Sequence, residues 1–170
     1  MPDVNSNLSQ VAPLGAEELE PKIVAFFCTW CTYMAADLAG TSRMKYAPNA
    51  RVIRVMCSGR IDPQFVLAAF ANGADGVLIG GCHPGDCHYQ EGNYNCLRRA
   101  RLLKRVLEEV GIEADRFRLE WISAAEGDRV RVVINDMVEK LKALGPLRMK
   151  RETMLRGLHP QEHPVQEVCV

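Results

Sequence analysis

Seven cysteines dominate the reactive side chains of this 170-residue sequence: Cys28, Cys31, Cys57, Cys82, Cys87, Cys96 and Cys169. Two pairs are close in sequence, a C-x2-C (Cys28-Thr-Trp-Cys31) and a C-x4-C (Cys82-His-Pro-Gly-Asp-Cys87). Thiolates are soft ligands, so such a set points to zinc or to an iron–sulfur cluster. An odd count fits metal or redox chemistry better than a framework of paired disulfides, which a reducing compartment disfavours. A cytoplasmic location is expected, since no apolar run reaches the length of a membrane span and no secretory leader pattern opens the sequence. The 21 Lys and Arg balance the 21 Asp and Glu, so a nucleic-acid partner held through phosphate contacts is not expected. With 48% hydrophobic and 25% charged residues, the chain has the composition of an ordinary globular domain.

The elements that position the cysteines follow from the apolar pattern. Ile23–Phe27, Val52–Met56 and Val77–Ile79 are short continuous apolar runs, as expected of strands buried on both faces of a parallel sheet. Phe117–Ile122 alternates apolar with polar residues and reads as a half-exposed edge strand. Helices are expected between them. The first runs from Thr32 to Ala39 and stops at Gly40, and the second opens at Asp62 with Pro63 in its first turn and stops at Gly73. The third spans Leu97–Val110, with Leu103, Val106, Leu107 and Val110 on one face. The fourth spans Asp128–Leu144, with Val130, Val133, Ile134, Met137, Val138 and Leu141 at helical spacing. This βα alternation predicts one small three-layer, flavodoxin-like α/β domain over residues 21–146, with a roughly four-stranded, mostly parallel sheet. Residues 1–20 read as an N-terminal arm and 147–170 as a C-terminal tail.

In such sheets ligands sit outside the carboxyl ends of the strands. Cys28 follows the first strand, with Cys31 a few residues on. Cys57 follows the second, and Cys82 follows the third, with Cys87 in the same loop. Five cysteines therefore converge on one sheet edge. A two-iron cluster on four of them fits best by elimination, because neither a pair of zinc knuckles nor the C-x2-C-x2-C run of four-iron proteins is present. Three plainer readings stand beside it: a zinc-stabilised adaptor, a thioredoxin-like thiol–disulfide pair at Cys28 and Cys31, and Cys57 as simple core. Cys96 and Cys169 read as incidental.

Around the crevice, Gly80, Gly81 and Gly85 are placed to let backbone N–H groups approach sulfur, or simply to make turns. His83 and His88 are expected as hydrogen-bond donors or loop residues rather than ligands. Arg60 is placed to neutralise an anionic cluster or to lie in solvent. Arg98, Arg99, Arg101, Lys104 and Arg105 form a basic helix face, solvated or docked on an acidic partner. No dinucleotide, P-loop, nucleophile-elbow or zinc-protease motif occurs.

From Phe27 through Ala125 the sequence resembles the delta subunit of the methyl-viologen-reducing (F420-non-reducing) hydrogenases. The resemblance rests on FCTWCTYMAADLAGTSRMKYAPNARVIRVMCSGRIDP, GADGVLIGGCHPGDCHYQEGNY and EWISAAEG. It implies a non-catalytic electron-transfer subunit with one [2Fe-2S] cluster, and Cys28, Cys31, Cys57, Cys82 and Cys87 as the matching cysteines. It further implies traffic between a heterodisulfide-reductase-type iron–sulfur flavoprotein and a hydrogenase, formate dehydrogenase or other oxidoreductase module, within flavin-based electron bifurcation. The acidic arm (Glu17, Glu18, Glu20) and the Pro-containing tail are expected to order on such partners.

Overall fold

A computed structural model describes residues 20–147. Apart from Glu20 and Leu147, the expected arm and tail, with Cys169, lie outside the described residues. The elements are β1 (Ile23–Cys28), α1 (Thr32–Thr41), β2 (Ala50–Val55), α2 (Pro63–Ala71), β3 (Gly76–Gly81), α3 (Gly92–Glu109), β4 (Phe117–Trp121) and α4 (Gly127–Leu144). Single 3-10 turns at Ser58–Arg60 and Ala114–Arg116 precede α2 and β4. The four strands are parallel in the order β2-β1-β3-β4.

Alternation along β1 and β3 feeds two cores. Ile23, Ala25, Phe27 and Leu78 meet α1 and α4, while Phe26, Val77 and Ile79 meet α2 and α3. Both central strands are covered on both faces, which is why they are apolar throughout. All six expected apolar positions of α4 are buried. Asp62 caps α2 by accepting from Gln64 N–H at 2.9 Å, with Pro63 directly after it. Gly73 and Gly145 take positive φ where their helices end.

Four expectations are corrected. The second strand is not buried: it is an outer strand, with Arg51 through Arg54 exposed, and Val52 and Ile53 carry apolar side chains into solvent. A continuous apolar run describes composition, whereas coverage depends on helices that here sit over β1, β3 and β4. The first helix does not stop at Gly40 but continues through it to Thr41. The third helix begins five residues early, at Gly92, so Cys96, expected to precede it, lies in its second turn as part of the core. Its buried stripe is Cys96, Ala100, Leu103 and Leu107, with Val106 and Val110 turned outward. No described helix is long and apolar enough to cross a membrane.

Candidate metal centre

Strand order changes direction at β1, whose neighbours β2 and β3 both follow it in sequence, and the crevice opens beside its carboxyl end. There the sheet delivers all five expected cysteines, each buried. They form two groups. The Sγ atoms of Cys28, Cys31 and Cys82 all lie within 4.8 Å of one another, with Cys28 and Cys82 3.8 Å apart. Cys57 and Cys87 pair at the same 3.8 Å.

Local structure fixes both groups. Cys28 ends β1, and Cys31 is held a turn later by its N–H to the Cys28 carbonyl, where it precedes α1. Cys57 opens the Ser58–Arg60 turn, and Gly59 N–H donates to its Sγ at 3.4 Å. Cys82 follows β3 directly, and buried Asn93 clamps its loop by donating to the carbonyls of Cys82 and His83. Gly92, at the start of α3, leaves the room that Cys57 occupies. A Cβ there would stand 2.3 Å from Cys57 Sγ and 3.1 Å from Cys87 Sγ.

So many buried thiols cannot all ionise unaided. The hydrogen bond from Cys31 pulls Cys28 down to about 6, while the same bond, together with burial, pushes Cys31 up. Burial raises Cys82 and lifts Cys57 to about 11, and the charge on Cys28 reaches both. One thiolate is thus favoured at the expense of its neighbours. A bound cation reverses that penalty, since coordination deprotonates thiols outright. Two hydroxyls are also left over: Thr29 Oγ1 is buried without a partner, and Ser58 Oγ, beside the Cys96 thiol, makes no hydrogen bond of normal geometry.

The remaining expected residues divide. Gly80 and Gly81 belong to β3 and admit Thr32 and Ser58 rather than sulfur, while Gly85 makes a turn at φ +95. Arg60 lies over the Phe65 ring, 5.6 Å from its centre, instead of facing the thiols. His83 bonds Glu126 at 2.7 Å, and Glu126, which also accepts from Ser123 N–H, is held down at about 2 by that backbone bond first and by His83 second. His88 stacks on Trp30 with ring centres 3.9 Å apart, and Trp30 Nε1–H donates to Tyr89. This aromatic group joins the two cysteine loops at the surface. Arg99 leaves the basic face of α3 to donate to Gly59 and Ile61 carbonyls. Sequence reasoning missed Gly92, Asn93, Thr29, Ser58 and the Trp30 stack; only GNY, beside the C-x4-C loop, hinted at the first two.

Residues 23–145 match the family model of the methyl-viologen-reducing hydrogenase delta subunit. The chain belongs to this family. It is 58% identical over 138 residues to the vhc iron-sulfur subunit of the F420-non-reducing hydrogenase of Methanococcus voltae, covering 81% of this chain and 96% of that protein. The corresponding F420-non-reducing hydrogenase iron-sulfur subunit of Archaeoglobus profundus is 53% identical over 136 residues, 80% of this chain and 99% of its own. A different relative is a subunit of the ferredoxin/F(420)H(2)-dependent CoB-CoM heterodisulfide reductase of Methanosarcina acetivorans. It is 47% identical over 154 residues, 89% of this chain but only 19% of that much longer protein. A segment resembling this delta-subunit chain is thus one part of a reductase polypeptide in that organism.

Proposed function

We propose that the chain is a cytoplasmic electron-transfer subunit that holds one [2Fe-2S] cluster and relays electrons between a hydrogenase or dehydrogenase module and a heterodisulfide-reductase-type flavoprotein. The observation that carries this reading is the repeated 3.8 Å sulfur pair, Cys28 with Cys82 and Cys57 with Cys87. That spacing is the edge expected of a tetrahedron with metal–sulfur bonds of roughly 2.3 Å. One pair suits each iron, which leaves Cys31 as the close neighbour. A lone zinc ion fits poorly, because the group of three lacks a fourth ligand among the described residues and structural zinc sites are four-coordinate.

When bound, such a cluster supplies one-electron exchange without making or breaking bonds to a substrate. The chain's own residues supply the rest. Cys57 is positioned by Gly59 N–H and by the space at Gly92. The hydroxyls of Thr29 and Ser58, in the loops that carry Cys28, Cys31 and Cys57, have no well-formed partner among the described residues; a hydroxyl that turns to donate to a ligating sulfur helps set the potential. Trp30 and Tyr89 offer an exposed aromatic contact surface next to the cysteine loops. The reductase relative that contains a similar segment supports a heterodisulfide-reductase-type partner; the flavin and a place in electron bifurcation are part of the proposal.

A thiol–disulfide exchange role has one point in its favour, the lowered Cys28. Against it, the Cys28 side chain is only 1% exposed and crowded by Cys82, so it cannot be presented to a substrate disulfide. Anaerobic purification decides the matter. Iron with acid-labile sulfide and a single reducible two-iron resonance is expected. A colourless zinc protein, a four-iron signal or a two-electron disulfide couple would refute the proposal.

A further inference from the structure

The outer edge of β4 is unoccupied by any described strand. In a parallel strand the N–H and C=O of one residue point to the same side, and successive residues alternate. Ile122 N–H donates to the Gly81 carbonyl, so Glu120 also faces β3, while the backbone groups of Leu119 and Trp121 face away. They look into an open groove of about 380 Å³ between α3 and α4. Its α3 wall carries Arg101 and Lys104, which form no ion pair among the described residues. Its α4 wall carries Lys140, which shares Asp136 with Arg118, and Asp115 is the one acid in the lining.

The position has a geometric meaning. A doubly wound sheet of order 2-1-3-4-5 places its fifth strand here, and this sheet ends at four. The groove is therefore a strand-shaped slot with free main-chain donors and acceptors along one side and cations above it. The opposite edge differs: β2 carries exposed Arg51 and Arg54, the charged guards typical of an edge that stays open, whereas the charges of β4, Arg118 and Glu120, are half-buried and paired with each other, with Asp136 and with Arg129.

We propose that the β4 groove receives an extended acidic segment of a partner protein, which adds to the sheet as a fifth strand with its carboxylates toward Arg101 and Lys104. Main-chain bonds to Leu119 and Trp121 would give affinity, and the cations would select the charge and speed encounter. This inference does not depend on what the cysteines hold.

Hydrogen–deuterium exchange of the full chain, alone and within the assembly that co-purifies with it, tests the proposal. In the free chain the Leu119 and Trp121 amides are expected to exchange fast while Glu120 is protected; in the assembly all three are protected. The double variant Arg101→Glu/Lys104→Glu is expected to weaken assembly by about tenfold or more, increasingly masked at high salt. Its iron content should be unchanged, and Arg105→Glu, outside the groove, should assemble normally. Fast exchange of Leu119 and Trp121 in the assembly would overturn the proposal. So would protection in the dilute free chain, which would mean that the chain's own flank fills the slot. Protection that grows with the concentration of the free chain would also overturn it, by assigning the slot to a second copy.

Discussion

The two ends of the sheet are built on opposite principles. At the amino ends of the strands the buried polar side chains described are all matched. Arg116, 1% exposed, donates to Glu113 and to the carbonyls of Asp75 and Gly145, while Asp75 accepts from the backbone of Lys22 and Leu147. One guanidinium thereby ties together the start of β3, the turn before β4 and the end of α4. At the carboxyl ends, five thiols are crowded together, most of them pushed away from ionisation, and two hydroxyls lack partners. The first end is complete as it stands and holds the fold. The second keeps most of its thiols protonated as it stands, a preference that a bound cation would reverse.

The sharpest way to break this comparison is to remove sulfur from each group separately. Cys28→Ser and Cys57→Ser are each expected to abolish iron binding while the melting temperature of the metal-free chain changes little. Iron lost only from the group of three would show that the Cys57–Cys87 pair is not part of the centre. Arg116→Ala should do the reverse, costing about 2–4 kcal/mol of stability through stranded carbonyls yet leaving iron per folded chain intact. Denaturant melts read the first quantity and iron assay the second; a large iron loss would mean that the two ends are not independent.

Gly92→Ala sharpens the account of the pair. Forcing a methyl group against Cys57 Sγ should cost about 1–3 kcal/mol and change the resonance of the loaded protein. An unaltered spectrum would remove Gly92 from the positioning of Cys57. Ser58→Ala is expected to have a smaller effect, a lower midpoint potential at full iron content, because a donated hydrogen bond favours the more negative reduced state. A potential equal to the parent's would show that the hydroxyl does not reach sulfur. The smallest effect belongs to acid. Arg116 holds the Glu113 carboxyl below its ordinary 4.5, so this contribution is complete above that value and is lost as pH falls through the folded value. Melts in acid should show a sag that Arg116→Ala lacks.

Much of this was legible because it depends on local order. Cysteines placed directly after apolar runs must emerge at strand ends, and the α4 stripe and the Asp62–Pro63 start follow from spacing and capping alone. What was hidden depends on approach between distant elements. Val52 and Ile53 look like core until the position of β2 at the rim is known. The start of α3 at Gly92 answers to Cys57, thirty-odd positions earlier, and not to any capping residue of its own. Arg99 and Arg116 read as surface cations, yet their partners are carbonyls that only the tertiary fold delivers. The division of five cysteines into three and two is likewise a property of loop geometry, which spacing does not encode.

The chain has two tryptophans, and they fall in the two places where contacts are proposed. Trp30 sits between the first two cysteines, stacked on His88, and Trp121 lines the slot beside β4. Trp121 also packs against Gly81, directly before Cys82, so both rings lie near the cysteines, and the two events are told apart by intensity and by colour. Loading of the cysteines should quench both rings by energy transfer to a coloured centre, whereas a strand entering the slot should dry Trp121 alone and shift its emission to the blue. In the Trp30→Phe chain the colour of Trp121 then follows the slot while its intensity follows the cysteines, and in the Trp121→Phe chain only the cysteine signal remains.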